Sequence, residues 1–128
     1  MTSSEIGIVS GFSGFAVPDL MAAKKFYGET LGLDVTENEM GLLSLRLPGG
    51  AEIIVYPKPD HAPAVFTILN FAVEDIDVAV DELAARGVTF TRYDGFPQDE
   101  KGIARDGVPM IAWFTDPAGN ILSVLQTR

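Results

Sequence analysis

A chain of 128 residues, 47% hydrophobic and 21% charged, has enough apolar surface for one self-sufficient core and falls outside the disordered class. The lack of cysteine excludes disulfides, thiolate metal sites and a cysteine nucleophile, and a formal charge of -9 opposes the phosphate backbone of nucleic acid. No apolar run approaches the roughly 20 residues that span a bilayer, and residues 1–10 lack the basic and apolar stretches of a secretory leader, so a single-domain cytoplasmic protein is expected, with no nucleic-acid or membrane partner.

The first predicted element is a strand over 12–17, rich in the aromatic and β-branched residues of a buried strand. Asp19 follows as a helix N-cap, its carboxylate placed to accept from free backbone N–H groups. Leu20, Ala23, Tyr27 and Leu31 then recur at three- and four-residue spacing, giving a helix with one apolar stripe, and Gly32 ends it before an extended run over 33–35. Pro48, Gly49 and Gly50 read as a hairpin turn into a strand reaching Val55. The Pro-rich stretch 58–64 reads as a linker, and the lone histidine, His61, as an exposed residue within it.

The pattern then repeats. Phe71-Ala72-Val73-Glu74-Asp75-Ile76 echoes Phe15-Ala16-Val17-Pro18-Asp19-Leu20, a strand over 66–73 leads to an Asp75 cap, and a helix with Ile76, Ala79 or Val80, and Leu83 on one face ends at Gly87 before a short extended run over 88–90. Pro117-Ala118-Gly119-Asn120-Ile121-Leu122-Ser123-Val124 echoes Pro48-Gly49-Gly50-Ala51-Glu52-Ile53-Ile54-Val55. The second copy is longer, and its extra residues fall in 93–107, where Asp99, Glu100, Lys101, Arg105 and Asp106 read as solvated charges on a loop able to act as a flap over a pocket. The chain thus reads as α+β, with two tandem βαβββ modules over about 11–57 and 65–126 forming curled mixed sheets around a cleft.

With Phe26-Tyr27, Leu31-Gly32-Leu33 and the closing Phe114-Thr115-Asp116-Pro117-Ala118-Gly119-Asn120, this pattern resembles the vicinal oxygen chelate superfamily, which includes glyoxalase I, bleomycin-resistance proteins and extradiol dioxygenases. The resemblance implies paired modules around a cleft, often in a homodimer, and in catalytic members a divalent ion held from the first and last strand of each module. The matching positions here are Phe12, Ile54, Ile68 and Ser123, which offer no carboxylate or imidazole, so neither a metal nor a cofactor is expected.

Strand alternation puts Phe12, Gly14, Ala16, Ile68, Asn70 and Ala72 on the cleft face and Phe15, Val17, Leu69, Phe71 and Val73 on the helix face. Phe12, Gly14, Ile54, Ile68, Asn70, Trp113 and Ser123 are therefore the candidate ligand-binding residues. Two readings stay open for Gly14, Ala16 and Ala72, room for a ligand or close sheet packing, and two for Trp113, a stacking surface or core. The expected function is metal-independent binding of a small apolar or aromatic molecule. The alternatives are a lyase, isomerase or dioxygenase-type enzyme with displaced or absent metal ligands, or with Glu52, Tyr56 or an acidic loop residue as base, and a dimerisation module without ligand.

Overall fold

The computed structural model describes residues 6–107 and 109–127. The leader-free reading of residues 1–10 therefore falls partly outside the described residues. In chain order the elements are β1 (Ser13–Val17), α1 (Leu20–Lys25), a π turn (Phe26–Thr30), β2 (Asp34–Glu37), β3 (Leu43–Arg46), β4 (Glu52–Pro57), β5 (Thr67–Ala72), α2 (Ile76–Ala85), β6 (Met110–Thr115) and β7 (Ile121–Gln126). They form two mixed sheets, one ordered β1-β4-β3-β2 and the other β5-β7-β6. In each, the first strand of the module runs parallel to its last, with Gly14 opposite Ile54 and Asn70 opposite Ser123. The remaining pairs are antiparallel. No helix among the described residues is long and apolar enough to cross a membrane.

The two helix starts follow their caps. Asp19 Oδ1 accepts from Met21 and Ala22 N–H at 3.0 and 3.2 Å, and Asp75 Oδ1 from Asp77 and Val78 N–H at the same distances. Past α2, Gly87 at φ 94° lets its N–H reach Ala84 O and the Val88 N–H reach Leu83 O, which satisfies the last carbonyls. The first helix departs from the α-helix expected as far as Leu31. Its final turn is π-helical, with Leu31 N–H bonded to Phe26 O.

The second module also departs from the fourfold strand pattern. No strand forms over 88–90, and the outer edge of β6 is met instead by two isolated bridges, Thr91 to Trp113 and Ala104 to Ile111. Phe90 packs against Phe114 with ring centroids 5.6 Å apart, so the extra loop residues, not a continuous strand, occupy that edge.

One apolar core serves both modules, joining Val17, Tyr27, Leu43, Leu45 and Val55 to Ile76, Val80, Phe114, Leu122 and Val124. Phe26 meets Phe114 across the junction with centroids 6.4 Å apart. Burying that many large side chains is the dominant favourable term in such a fold, at about 1.5–3 kcal/mol for each fully buried one. Because both sheets spend their helix faces on this core, parts of their other faces stay open within one chain, with Gly14, Tyr56, Asn70 and Ala72 exposed there.

Polar ties close the junction. Asp116, nearly buried, accepts from Tyr27 Oη at 2.7 Å, from Asn120 Nδ2 at 3.0 Å, and from the Ala118 and Asn120 N–H groups of its own turn. Asn120 Nδ2 also donates to Ala16 O at 3.1 Å, and His61 Nε2 lies 3.0 Å from Asn120 Oδ1. His61 is thus half-buried at the junction and not the exposed linker residue expected, because the hairpin turn of the second module comes to rest beside it.

Candidate functional site

The expected site residues fall into two cross-strand rows. On the first sheet Gly14 pairs with Ile54, and Ile54 with Ser44. On the second, Asn70 pairs with Ser123, and Ser123 with Trp113. Phe12 precedes β1 and is 69% exposed, one of several large apolar groups on the surface with Val65, Phe66 and Tyr56. Gly14 approaches β4 so closely that a Cβ there would meet Ile54 O at 3.1 Å, so its lack of a side chain serves strand packing directly.

Ile68 departs from the grouping with Asn70. The register of β5 on β7 shifts between Thr67 and Leu69, alternation breaks there, and Ile68 packs half-buried against the shared core. Ser123 is fully buried, and its hydroxyl donates to Asn70 Oδ1 at 2.5 Å. It therefore orients Asn70, which is exposed and leaves its amide NH2 group available on the open face. Trp113 is half-buried and packs edge-on with Tyr93 and Phe96, centroids 5.2 and 5.1 Å away. Both rings belong to the 93–107 loop, so loop and sheet together build an aromatic corner beside the Asn70–Ser123 pair.

The charges of that loop stay largely open to solvent, as expected, and they also hold it down through ion pairs. Arg105 reaches Asp77 on α2 at 2.6 Å and Asp99 at 2.7 Å, while Lys101 reaches Asp77 and Asp81 at 3.2 and 3.1 Å. Gln98 adds bonds to the Thr91 and Gly102 carbonyls and to Tyr93 N–H. Hydrogen bonds from Arg105 and Lys101 hold the Asp77 carboxyl below its usual range. Partial burial pushes the Asp99 carboxyl up, but Arg105 and the Ile103 and Lys101 N–H groups outweigh it and leave it lowered. The sequence showed the charges, but their partners on α2 lie twenty or more residues away and carry no local spacing signal.

The divalent ion of the superfamily's catalytic members does not fit these residues. Phe12, Ile54 and Ile68 have no donor atom, and the Ser123 hydroxyl is buried and engaged with Asn70. No cluster of three or more His, Asp or Glu able to hold a metal occurs among the described residues. Glu52, on the same face of β4 as Ile54, accepts from Ser44 Oγ at 2.5 Å. Sequence reasoning missed one further feature, a cavity of about 540 Å³ between the modules, lined by only Asn70 of the expected residues.

The family profile described as the Glyoxalase/Bleomycin resistance protein/Dioxygenase superfamily matches residues 9–124. Among solved structures, the chain is similar to TnmS3, an antibiotic binding protein from Streptomyces sp. CB03234, at 26% identity and a TM-score of 0.66, covering 94% of this chain and 98% of that one. It is also similar to a member of the same superfamily from Sphaerobacter thermophilus DSM 20745, at 23% identity and a TM-score of 0.66 over 92% and 98% of the two chains. An integron cassette protein from the mobile metagenome of V. cholerae matches at 19% identity with a TM-score of 0.66, over 94% and 98%. No curated protein sequence matches. With its profile match over nearly the whole length and both sheets in place, the chain belongs to the Glyoxalase/Bleomycin resistance protein/Dioxygenase superfamily.

Proposed function

We propose that this chain is a cytoplasmic, homodimeric binding protein that takes up a small apolar or aromatic molecule on the open sheet faces without a metal. The observation that carries the proposal is the outer row of the second sheet, where Ser123 fixes the Asn70 amide beside Trp113 and the Tyr93 and Phe96 rings, an apolar surface with one oriented polar group. Support for a second copy comes from the edges: β1 and β5 each pair on one side only among the described strands, and Phe12, Val65 and Phe66 beside them are exposed. The similarity to TnmS3, an antibiotic binding protein, supports the same ligand class.

The test is a thermal-shift screen of the full chain against aromatic natural products, antibiotics among them. A ligand at 100 times its dissociation constant adds about 2.7 kcal/mol of stability. A hit is expected to weaken on Asn70→Ala and Trp113→Ala, and light scattering is expected to give twice the chain mass. Stoichiometric divalent metal that survives dialysis and is needed for the hit would overturn the metal-free reading in favour of an enzyme.

A further inference from the structure

The cavity between the modules shares Asn70 with the open face of the second sheet, but its other walls make it a site in its own right. Its walls come from elements of both copies: Leu31 and Leu33 after the π turn, Leu47 from the β3–β4 turn, Phe71 on β5 and Val73 just past it, and Leu83 on α2. At about 540 Å³ it has the size of a small-molecule pocket. Its polar residues are few: Thr30, Asn70, Glu82 and Arg86. Arg86, the residue that ends α2, donates through Nη1 to Thr30 O at 2.8 Å and through Nε to Glu82 Oε2 at 3.1 Å, leaving Nη2 as its remaining donor.

The π turn Phe26–Thr30 ends at this lining. Such wide turns are rare and recur at functional sites. Here the turn brings the Thr30 carbonyl to Arg86, so two lining residues tie the first module to the second.

The charges restrict what fits. Arg86 is already balanced by Glu82, and a chain of net charge -9 repels anions, so an anionic head gains little. A neutral acceptor such as a carbonyl can take the Nη2 donor without displacing Glu82. We propose that the cavity at the module junction is a second binding site, for an uncharged, largely apolar molecule of about two rings that presents a carbonyl oxygen to Arg86.

The test titrates the full chain with prodan, an uncharged naphthalene bearing a carbonyl, whose emission reports both polarity and hydrogen bonding at that carbonyl. Blue-shifted binding at one dye per chain is expected. Ala79→Phe, which places a ring in the lining, is expected to weaken it by about tenfold or more. Arg86→Met is expected to weaken it by about fivefold and shift the bound emission further to the blue, as the hydrogen bond is lost. Val78→Ala, at an exposed position of α2 outside the lining, is expected to leave the affinity unchanged.

Failure of prodan to bind overturns the proposal. So does binding that Ala79→Phe spares, or binding seen only when a dimer is diluted to monomer, which would give the cavity to a second copy. Should Ala79→Phe fail to fold, a crystal structure of the prodan complex decides: dye between Leu33 and Phe71 supports the site, and dye elsewhere refutes it.

Discussion

Tyr27 has no solvent exposure, and its hydroxyl donates to a carboxylate that is itself nearly buried. Burial, and after it the charge and hydrogen bond of Asp116, push the phenol far above its ordinary range. The unfolded chain loses this proton near pH 10, whereas the folded chain keeps it. The stability that the bond contributes is therefore fully present below about pH 10 and is lost as the pH rises beyond it, at about 1.4 kcal/mol per pH unit for one proton. Tyr27→Phe should cost about 1–2 kcal/mol at neutral pH and flatten that alkaline slope, measured by urea unfolding from pH 8 to pH 11. Half of this contact was legible: Asp116 before Pro117-Ala118-Gly119 announces a turn whose N–H groups its carboxylate accepts. Tyr27 was legible only as one apolar position on a helix, because a partner 89 residues away leaves no periodic trace.

Among the elements, the caps were the readable part. Asp75 meets two N–H groups of α2, and Gln126 Oε1 takes the Ile76 N–H at 2.8 Å, so the start of the helix is well satisfied. Asp75→Ala is expected to lower stability by about 1 kcal/mol, seen as a lower urea midpoint with an unchanged slope. The π turn was unreadable, since Tyr27 and Leu31 keep the same four-residue step in either helix type and the choice falls to packing. The missing strand at 88–90 has a similar cause, with Ala104 and Thr91 sharing the β6 edge.

The loop that carries Ala104 also offers a reporter, because Trp113 is the single tryptophan and packs on Tyr93 and Phe96. Asp77 and Asp99 have lowered pKa values, so the ion pairs with Arg105 contribute above the ordinary carboxylate range and weaken as the pH falls through the lowered values. Acidification below about pH 4 should therefore release the loop and shift Trp113 emission to the red. Arg105→Gln should produce the shift at higher pH, and an emission maximum that ignores both changes would mean the ion pairs do not hold the loop.

At the scale of the molecule, the duplication could have produced two modules that unfold separately, and the junction decides against this. Asn120 by itself joins two segments distant in sequence, β1 through Ala16 O and the linker through His61, to its own turn through Asp116. Around it the two apolar faces merge into one core. Removing the Asn120 side chain takes a donor from the Ala16 carbonyl and one of two donors from Asp116 Oδ2, which keeps Tyr27 Oη, and costs about 1–3 kcal/mol. Asn120→Ala should thus lower the stability of both modules together, although the residue sits in only one. The check is urea unfolding followed by Trp113 fluorescence, which sees the second module, and by far-ultraviolet circular dichroism, which sees both. In the wild type the two curves should coincide, and in the variant they should move to lower urea without separating. A variant in which the Trp113 transition comes first, with half the dichroism retained, would mean that the core at Phe26 and Phe114 is too small to couple the halves without this one amide.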